Sequence, residues 1–243
     1  MVIGNGEMAQ VFSDYKENNE IVFFLSGVSN SRCNDDREYE REFKLLIETH
    51  KRLNNKTFVY FSTTSVLDPS LKLTKYIQHK QKIETWISYN IEKFYIFRIP
   101  TLCYKSKNNN LLLNFIFNQL SNNEKVTINK NSYRYILSIE DMRKIIDAIL
   151  ISSLPFTIYN IVNTEKPISL PELINLFMEM YSFNKELITY TNEGQYYEVE
   201  INYDINQIFK IHHIPFFYKD EYKNYVDYIK NCIKNNYFEY KLK

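Results

Sequence analysis

Apolar and polar positions along this chain alternate between two kinds of segment. Short continuous apolar runs, typical of strands buried on both faces, lie at residues 20–24, 56–63 and 93–101. Each run is followed, directly or after a loop, by a longer stretch in which apolar residues recur at helical spacing, as at Tyr39 and Phe43. This alternation predicts βαβ units, and therefore a parallel sheet with helices on both faces.

Both ends of the chain extend this pattern in a less regular form. The first residues, MVI, read as a short strand that runs through GNGEMA into a helix ending near Lys16. Beyond about residue 105 the elements become shorter, with strands at KVTI, FTIYNIVN and LITYTN, helices at LLLNFIFNQL and SLPELINLFMEMY, and a terminal helix near 220–236. We therefore expect smaller elements gathered above the sheet.

Composition and charge exclude several classes of partner. Of the 243 residues, 44% are hydrophobic and 24% are charged, with a net charge of +1 and mixed signs, so no basic face for nucleic acid is expected. No leader segment is recognised, and no run approaches the roughly 20 apolar residues of a membrane span, which favours a cytoplasmic protein without a membrane partner. The three cysteines lack CxxC spacing and the histidines lack clustered ligand partners, so neither disulfides nor a metal site is expected.

A tyrosine and a lysine four residues apart, Tyr76 and Lys80, lie in a predicted helix that begins near Thr74. YxxxK spacing alone is weak, because it occurs four times in this tyrosine-rich chain. Only this pair follows, at thirteen residues, a hydroxyl at the end of an apolar strand, Thr63. Parallel sheets place ligand-contacting groups at such strand ends, so Thr63, Tyr76 and Lys80 are the candidate catalytic residues.

Together these three side chains suit reduction of a ketone or oxidation of an alcohol. A tyrosine hydroxyl, with a reference pKa of about 10, shuttles protons poorly at neutral pH unless a cation favours the phenolate. Lysine at i+4 lies one helical turn away on the same face, and a threonine hydroxyl can hydrogen-bond the reacting oxygen. His79 is turned away from that face and is expected at the surface or at an interface.

A glycine turn at the start of the chain is the candidate cofactor motif. GNGEMA places Gly4, Gly6 and Ala9 in a GxGxxA pattern between a strand and a helix, in a chain with only four glycines. Such a turn lets a pyrophosphate approach the positive end of the helix, while the small third residue packs on the strand. A plain tight turn is the alternative interpretation, and the N-terminal placement favours nucleotide binding.

These motifs resemble the extended short-chain dehydrogenase/reductases, which include nucleotide-sugar epimerases, dehydratases and ketoreductases. FVYFSTTSV is similar to the fifth strand of the family, with Thr63 matching its catalytic Ser/Thr and the pair Tyr76 and Lys80 its YxxxK. FRIPTLCY is similar to the sixth-strand RxxNxYG segment, with Thr101 where asparagine is usual. RYILSIED resembles the segment in which an arginine, here Arg134, holds the substrate pyrophosphate.

The resemblance implies an NAD or NADP cofactor and a nucleotide-sugar substrate. Substrate contacts would come from Thr64, Thr101 and Arg134. The implied cofactor contacts are Gly4, Gly6, Glu7, Met8, Ser26, Gly27, Val28, Arg32 and Lys80. A homodimer through the predicted YxxxK helix and the helix before it is implied by resemblance as well.

One departure from the family is large. A dinucleotide fold normally carries, about 20 residues beyond its glycines, a second strand ending in the acid that binds the adenosine ribose. At that point this chain is already in FLSGVSNS, which matches a later strand, so the second and third strands are expected to be missing. Without them the sequence does not distinguish NAD from NADP.

We therefore expect a truncated Rossmann-like α/β fold with a parallel sheet, helices on both faces and a small C-terminal substrate-binding region. Residues 1–104 would form the minimal nucleotide-binding core, and 105–243 the remaining core elements and the substrate region. The predicted function is NAD(P)-dependent reduction or epimerisation of a nucleotide-linked keto sugar in surface polysaccharide synthesis. The alternative is a non-catalytic nucleotide or nucleotide-sugar binding protein descended from such enzymes, favoured by the missing adenosine half and by Thr101.

Overall fold

A parallel sheet forms the centre of the molecule. The structure is a computed structural model that describes residues 1–237. Within them, five parallel strands pair in the order β1, β2, β3, β4, β9. Their bounds are β1 Val2–Ile3, β2 Ile21–Phe24, β3 Thr57–Thr63, β4 Phe94–Ile99 and β9 Ile158–Asn160.

Eight α-helices accompany the strands in the described part of the chain. They are α1 Glu7–Val11, α2 Asp36–Arg52, α3 Lys75–Asn90, α4 Leu112–Ser121, α5 Ile139–Ile151, α6 Leu170–Tyr181, α7 Tyr203–Ile211 and α8 Tyr222–Tyr237. Six short strands form three two-stranded pairs: β5 Thr101–Cys103 with β8 Ile136–Ser138, β6 Val126–Asn129 with β11 Ile188–Thr191, and β7 Tyr133–Arg134 with β10 Ile168–Ser169.

Alternation along β3 shows why the central strands read as continuous apolar runs. Phe58 and Tyr60 contribute to the cluster under α2 and α3, whereas Val59 and Phe61 face the opposite side, where α1, α5 and α7 pack. Successive side chains of a strand point to opposite faces, so a strand covered on both sides is apolar at every position. The sheet with helices on both faces is thereby confirmed.

Local capping explains where helices α2 and α3 begin. Asp35 precedes α2 and its side chain accepts a hydrogen bond from the backbone N–H of Arg37. Thr74 precedes α3, and its hydroxyl accepts one from the N–H of Ile77. A side-chain acceptor at this position satisfies a donor that the first helical turn leaves unpaired.

A separate apolar cluster stabilises the C-terminal part. It joins α4, α6 and α8 to β6 and β8. Tyr225 of α8 is fully buried, and its hydroxyl accepts a hydrogen bond from the N–H of Ile136 (2.6 Å) and donates one to the carbonyl of the same residue (3.1 Å). The hydroxyl therefore takes the place of a strand neighbour for the backbone N–H and carbonyl of Ile136 in β8.

The structure differs from the sequence prediction at several elements. Helix α1 ends at Val11 and is followed by a 3-10 turn at Ser13–Tyr15, so the helix predicted to Lys16 is shorter. The run 93–101 is split at Pro100, because proline has no N–H to continue the ladder. Helix α7 and strand β10 were not predicted.

The truncation expected from the sequence is present. Between β1 and β2 the chain forms only α1 and the 3-10 turn, and β1 pairs directly with β2 in parallel, Val2 opposite Phe23. Strand β1 therefore lies at the edge of the sheet. Among residues 1–237, no helix combines the length and the apolar character needed to cross a membrane.

Candidate active site

The candidate site lies at the carboxyl edge of the parallel strands, beside α3. Gly27 follows β2, Thr63 is the last residue of β3, and α3 carries Tyr76 in its first turn and Lys80 in its second. Helix α3 is fixed against the turn after β3 by the amide of Gln81, which donates to the carbonyl of Val66 (3.4 Å). Ligands bind at this edge in open α/β sheets.

Thr63 caps the short turn that leads away from β3. Its hydroxyl accepts a hydrogen bond from the N–H of Ser65 (3.2 Å), and its side chain is half-buried. Thr64, the next residue, is buried. The hydroxyl of Thr63 retains its own proton, which it can donate to a substrate oxygen.

Lys80 is buried, and its ammonium points into the protein. It donates to the hydroxyl of Tyr60 (2.7 Å) and to Oε1 of Glu42 (3.2 Å). The same nitrogen lies 5.0 Å from the ring centre of Tyr60 and 5.8 Å from that of Tyr76. Both rings are thus within cation–π range, but the short contacts are to Glu42 and Tyr60.

Glu42 is the anion at the centre of this network and has no exposed surface. Its Oε1 accepts from Tyr60 (2.9 Å) and Lys80, and its Oε2 from the N–H of Val28 (2.7 Å) and from Nε2 of His79 (3.0 Å). Burial by itself would raise the pKa of Glu42, but Lys80, His79 and the Val28 N–H outweigh it and lower that pKa to about 2. An ionised carboxylate only accepts hydrogen bonds, so Nε2 of His79 carries the hydrogen in this contact.

Tyr76 keeps its proton in this environment. Burial raises the pKa of its phenol, the negative charge of Glu42 raises it further, and the positive charge of Lys80 lowers it. Lys80 therefore acts in the predicted direction, but the net shift of the Tyr76 pKa is upward. The phenol is a proton donor at neutral pH.

The glycine turn is open. A Cβ added to Gly6 would have no atom within 4 Å, whereas one on Gly4, where φ is +131°, would lie 2.6 Å from the carbonyl oxygen of Leu25. Ala9 is buried, as a small residue that packs on the strand should be. Gly4 is thus required by its conformation, and the free space at Gly6 lies at the N-terminus of α1.

Glu7, at the first position of α1, is tied to a distant loop. Its carboxylate accepts hydrogen bonds from the hydroxyl of Tyr104 (2.9 Å), from the hydroxyl of Ser106 and from the N–H of Lys107 (2.9 Å). Burial opposes ionisation, but these three donors outweigh it and lower the pKa of Glu7. The loop 104–107 is thereby held beside the glycine turn. Met8 is half-buried against the core on that side of the sheet.

The remaining predicted cofactor residues surround the end of β2. Ser26 and Gly27 are half-buried, and Val28 is buried. Arg32 is exposed, and its guanidinium lies 4.7 Å from the ring centre of Phe115 on α4. This contact turns Arg32 toward the C-terminal region.

The predicted substrate residue Arg134 is an ion-pair partner. Its Nη1 donates to the carbonyl of Tyr133 (2.6 Å) and to Oδ2 of Asp68 (3.3 Å), a buried carboxylate that also caps the turn at Ser70. The side chain of Arg134 is only 17% exposed, so Arg134 is not a solvated surface cation. Thr101 is half-buried in β5, and its N–H donates to the carbonyl of Tyr135 (3.0 Å).

Two residues of the network were missed or misplaced by sequence reasoning. The prediction for His79 was wrong: it is buried, it is hydrogen-bonded to Glu42, and its ring packs at a tilt against that of Tyr39, with ring centres 4.7 Å apart. Glu42 was overlooked because glutamate is normally a solvent-facing residue. The signal was its position on the inward stripe of α2, three residues after Tyr39 and four before Leu46.

No protein-family model matches the chain, and no curated protein does. Solved structures share its architecture. The dTDP-glucose 4,6-dehydratase of Bacillus anthracis in complex with NAD is similar with a TM-score of 0.61 and 15% identity, over 84% of this chain and 71% of that chain. MoeE5 in complex with UDP-glucuronic acid and NAD is similar with a TM-score of 0.64 and 14% identity, over 81% and 73%. The UDP-glucose 4-epimerase of Thermus thermophilus in complex with NAD gives 0.63 and 12%, over 87% and 78%.

This chain has the fold of the NAD-dependent epimerases and dehydratases. The resemblance stated from the sequence is thus confirmed at the level of architecture. In this epimerase/dehydratase fold, the open glycine turn before α1 fits a dinucleotide pyrophosphate, because the space at Gly6 lets a ligand reach the backbone N–H groups of the helix. The adenosine side is reduced, since β1 is the outer strand there.

Proposed function

We propose that this protein is an NAD(P)-dependent reductase or epimerase that acts on a nucleotide-linked keto sugar, with a role in surface polysaccharide synthesis. The observation that carries the proposal is the placement of Lys80 directly beside Gly27 and in contact with Tyr60 of β3, on the helix α3 that also carries Tyr76. A Cβ added to Gly27 would lie 3.1 Å from Nζ of Lys80, so the YxxxK helix reaches the carboxyl end of β2, on the edge at which ligands bind in open α/β sheets. Those structures hold NAD and nucleotide sugars.

The proposed reaction places a hydride donor and a proton donor on one carbonyl group. When bound, a reduced nicotinamide would supply a hydride, which is two electrons and one proton, to the carbonyl carbon and would itself become oxidised. Tyr76 donates its phenol proton to the oxygen as the carbon–oxygen π bond opens, which gives an alcohol and a phenolate that then takes a proton from solvent. Thr63 hydrogen-bonds the same oxygen and stabilises its developing charge. Epimerisation through a transient keto sugar would use the same residues.

For the substrate we propose a nucleotide diphosphate end near Arg134 and a sugar end near Thr64 and Thr101. Asp68 holds one edge of the Arg134 guanidinium and fixes its direction. Residues 105–243 would then supply the substrate region above the core, as expected from the sequence. Similar structures with UDP-glucose and with UDP-glucuronic acid support this class of ligand.

Cofactor binding is the first test. Thermal unfolding is followed with millimolar NAD, NADH, NADP and NADPH, and then with UDP-glucose and dTDP-glucose added. A ligand that binds the folded state raises the midpoint by mass action. We expect a rise with at least one nicotinamide cofactor. If none of them raises the midpoint, the enzyme is excluded and the non-catalytic nucleotide-sugar binding protein remains, which the reduced adenosine side of the sheet would also suit.

Replacement of Tyr76 by Phe tests the proton donor. The ring stays in place while the hydroxyl is lost, so we expect turnover to fall by about two orders of magnitude or more, with cofactor binding little changed. The matched control is Tyr89→Phe, because Tyr89 lies on the same helix, also begins a YxxxK sequence and is 85% exposed. Turnover that survives in Tyr76→Phe at the level of this control would remove Tyr76 from the mechanism.

We also propose a homodimer through the outer faces of α2 and α3. A groove of about 550 Å³ runs along these helices and is lined by apolar residues such as Phe43 and Ile47 together with charges of both signs. Such a mixed surface can pair with a second copy of itself. Sedimentation equilibrium measures this directly, and a monomer at all concentrations up to 100 µM would contradict it.

A further inference from the structure

The YxxxK lysine of this chain has an internal counter-ion, which the proposed mechanism does not use. Glu42 approaches from α2, binds Lys80 and shares with it the hydroxyl of Tyr60. All three side chains are buried beneath Gly27. The carboxylate receives four hydrogen bonds, from two side chains and one backbone group besides Lys80, so its position is fixed from three elements.

We propose that Glu42 is a positioning residue that draws the Lys80 ammonium away from Tyr76 and so holds the site in its proton-donating form. This inference rests on the proposed function and deepens it. A reaction that begins with carbonyl reduction needs the tyrosine as a phenol, whereas one that begins with oxidation of an alcohol needs it as a phenolate. The resting site is therefore built for a keto substrate, which favours the reductase over the epimerase among the two proposed activities.

The contact distances around Lys80 support this role of Glu42. Nζ of Lys80 makes its short contacts with Tyr60 and Glu42, and its distance to the ring centre of Tyr76 is 5.8 Å. The charge of Lys80 is largely compensated at Tyr76, because the carboxylate of Glu42 lies beside the ammonium. The electrostatic effects of the two opposite charges on the Tyr76 hydroxyl largely cancel, so little net field remains to favour its phenolate.

Four ionisable groups, on three elements, interact electrostatically with Tyr76. They are Tyr39 and Glu42 of α2, Tyr60 of β3 and Lys80 of α3. The two tyrosines are neutral at physiological pH, since burial raises the pKa of each, that of Tyr39 to about 12 and that of Tyr60 well above its ordinary value. Lys80 and Glu42 thus remain as the charged pair that sets the proton affinity of Tyr76.

The test measures the ionisation of Tyr76 in the protein without any ligand. Tyrosine labelled with ¹³C at Cζ reports ionisation by NMR, and the Tyr76 signal is assigned as the one that Tyr76→Phe removes. In the wild type, we expect this signal to remain that of a phenol up to pH 9. In Glu42→Gln the lysine charge is unopposed, and we expect the ionisation constant of Tyr76 to rise about tenfold or more.

Two further variants separate the charge effect from loosened structure. Glu40→Gln makes the same change at an exposed position of the same helix and should leave the Tyr76 signal unchanged. The double variant Glu42→Gln with Lys80→Met removes both charges, so the ionisation of Tyr76 should return toward its wild-type value. An equal shift in the single and double variants would show that general loosening is responsible, and would overturn the inference.

Activity adds an independent readout. With a keto substrate, kcat/KM for reduction should stay flat to about pH 9 in the wild type and should fall from a lower pH in Glu42→Gln. If Tyr76 of the wild type ionises below pH 9 in the free protein, the inference is refuted even if no variant folds. If the phenol behaves as expected but no cofactor binds, the proposed function fails while the role of Glu42 stands.

Discussion

Replacement of Gly27 by Ala places a methyl group directly on the buried ion pair. The new Cβ would lie 2.8 Å from Oε1 of Glu42 and 3.1 Å from Nζ of Lys80. Both atoms end flexible side chains, but Glu42 is held by four hydrogen bonds, so neither atom can move without weakening the network. Overpacking of this kind costs about 1–3 kcal/mol.

Part of that cost is offset, because alanine restricts the unfolded chain and so stabilises a protein by about 0.4–1 kcal/mol where the backbone conformation allows it. We therefore expect Gly27→Ala to lower the free energy of unfolding by about 1–2 kcal/mol, which corresponds to roughly 2–8 °C in the midpoint of a chain of this size. Urea unfolding followed by circular dichroism measures this loss in the free energy of unfolding.

Gly6→Ala provides the matched control for this prediction. A Cβ at Gly6 would have nothing within 4 Å, and the residue precedes α1 with φ of −74°, which alanine adopts readily. We expect its free energy of unfolding to lie within about 0.5 kcal/mol of the wild type, because the loss of a glycine N-cap is offset by the restriction that alanine places on the unfolded chain. Equal urea midpoints for the two variants would refute the argument that Gly27 is required by the ion pair beneath it.

Two further predictions concern stability. Tyr225→Phe removes the hydroxyl that satisfies both backbone groups of Ile136, so we expect the free energy of unfolding in urea to fall by about 2–4 kcal/mol. The control is Tyr196→Phe, because the hydroxyl of Tyr196 donates to the exposed Glu198, and its free energy of unfolding should fall by less than about 0.5 kcal/mol. Equal losses in the two variants would contradict this account. Glu42 has a pKa lowered from 4.5 to about 2, so the stability that its ionisation contributes, of order 3 kcal/mol, is complete above pH 5 and is lost as pH falls toward 2. Urea midpoints from pH 7 to pH 2.5 should therefore fall less steeply in Glu42→Gln than in the wild type, and parallel curves would contradict this.

The sequence sufficed for the central architecture because each buried strand carries its own signal. Strand β3 is apolar from Phe58 to Phe61, and helices α2 and α3 begin at polar caps, so local chemistry and tertiary structure agree. The missing strands were also predictable, because the spacing between the glycine turn and β2 left no room for them. Helix α7 was not, since its residues 203–211 follow a polar and aromatic stretch, and the side chain of its N-cap residue, Asn202, makes no cap hydrogen bond.

The candidate site was likewise predictable from the sequence only in part. Tyr76 and Lys80 were found because their spacing is local, one helical turn along α3. Their environment depends on Glu42 and Tyr60, which are distant in sequence and reach Lys80 only when α2 and β3 are in place. A buried glutamate is recognisable from sequence only if its partner is already known, and so the upward shift of the Tyr76 pKa could not be predicted.

The register of the central sheet has a consequence for how the chain reaches this structure. Val22 pairs with Phe58, and Phe58 with Phe94, so each neighbouring pair of strands is joined across a complete helix. The chain loses the entropy of closing these long loops before the stabilising contacts between strands can form, and this slows folding. During that delay the unpaired edges of β2 and β3, rich in phenylalanine, are open to other chains, so the yield of refolding should fall steeply as protein concentration rises.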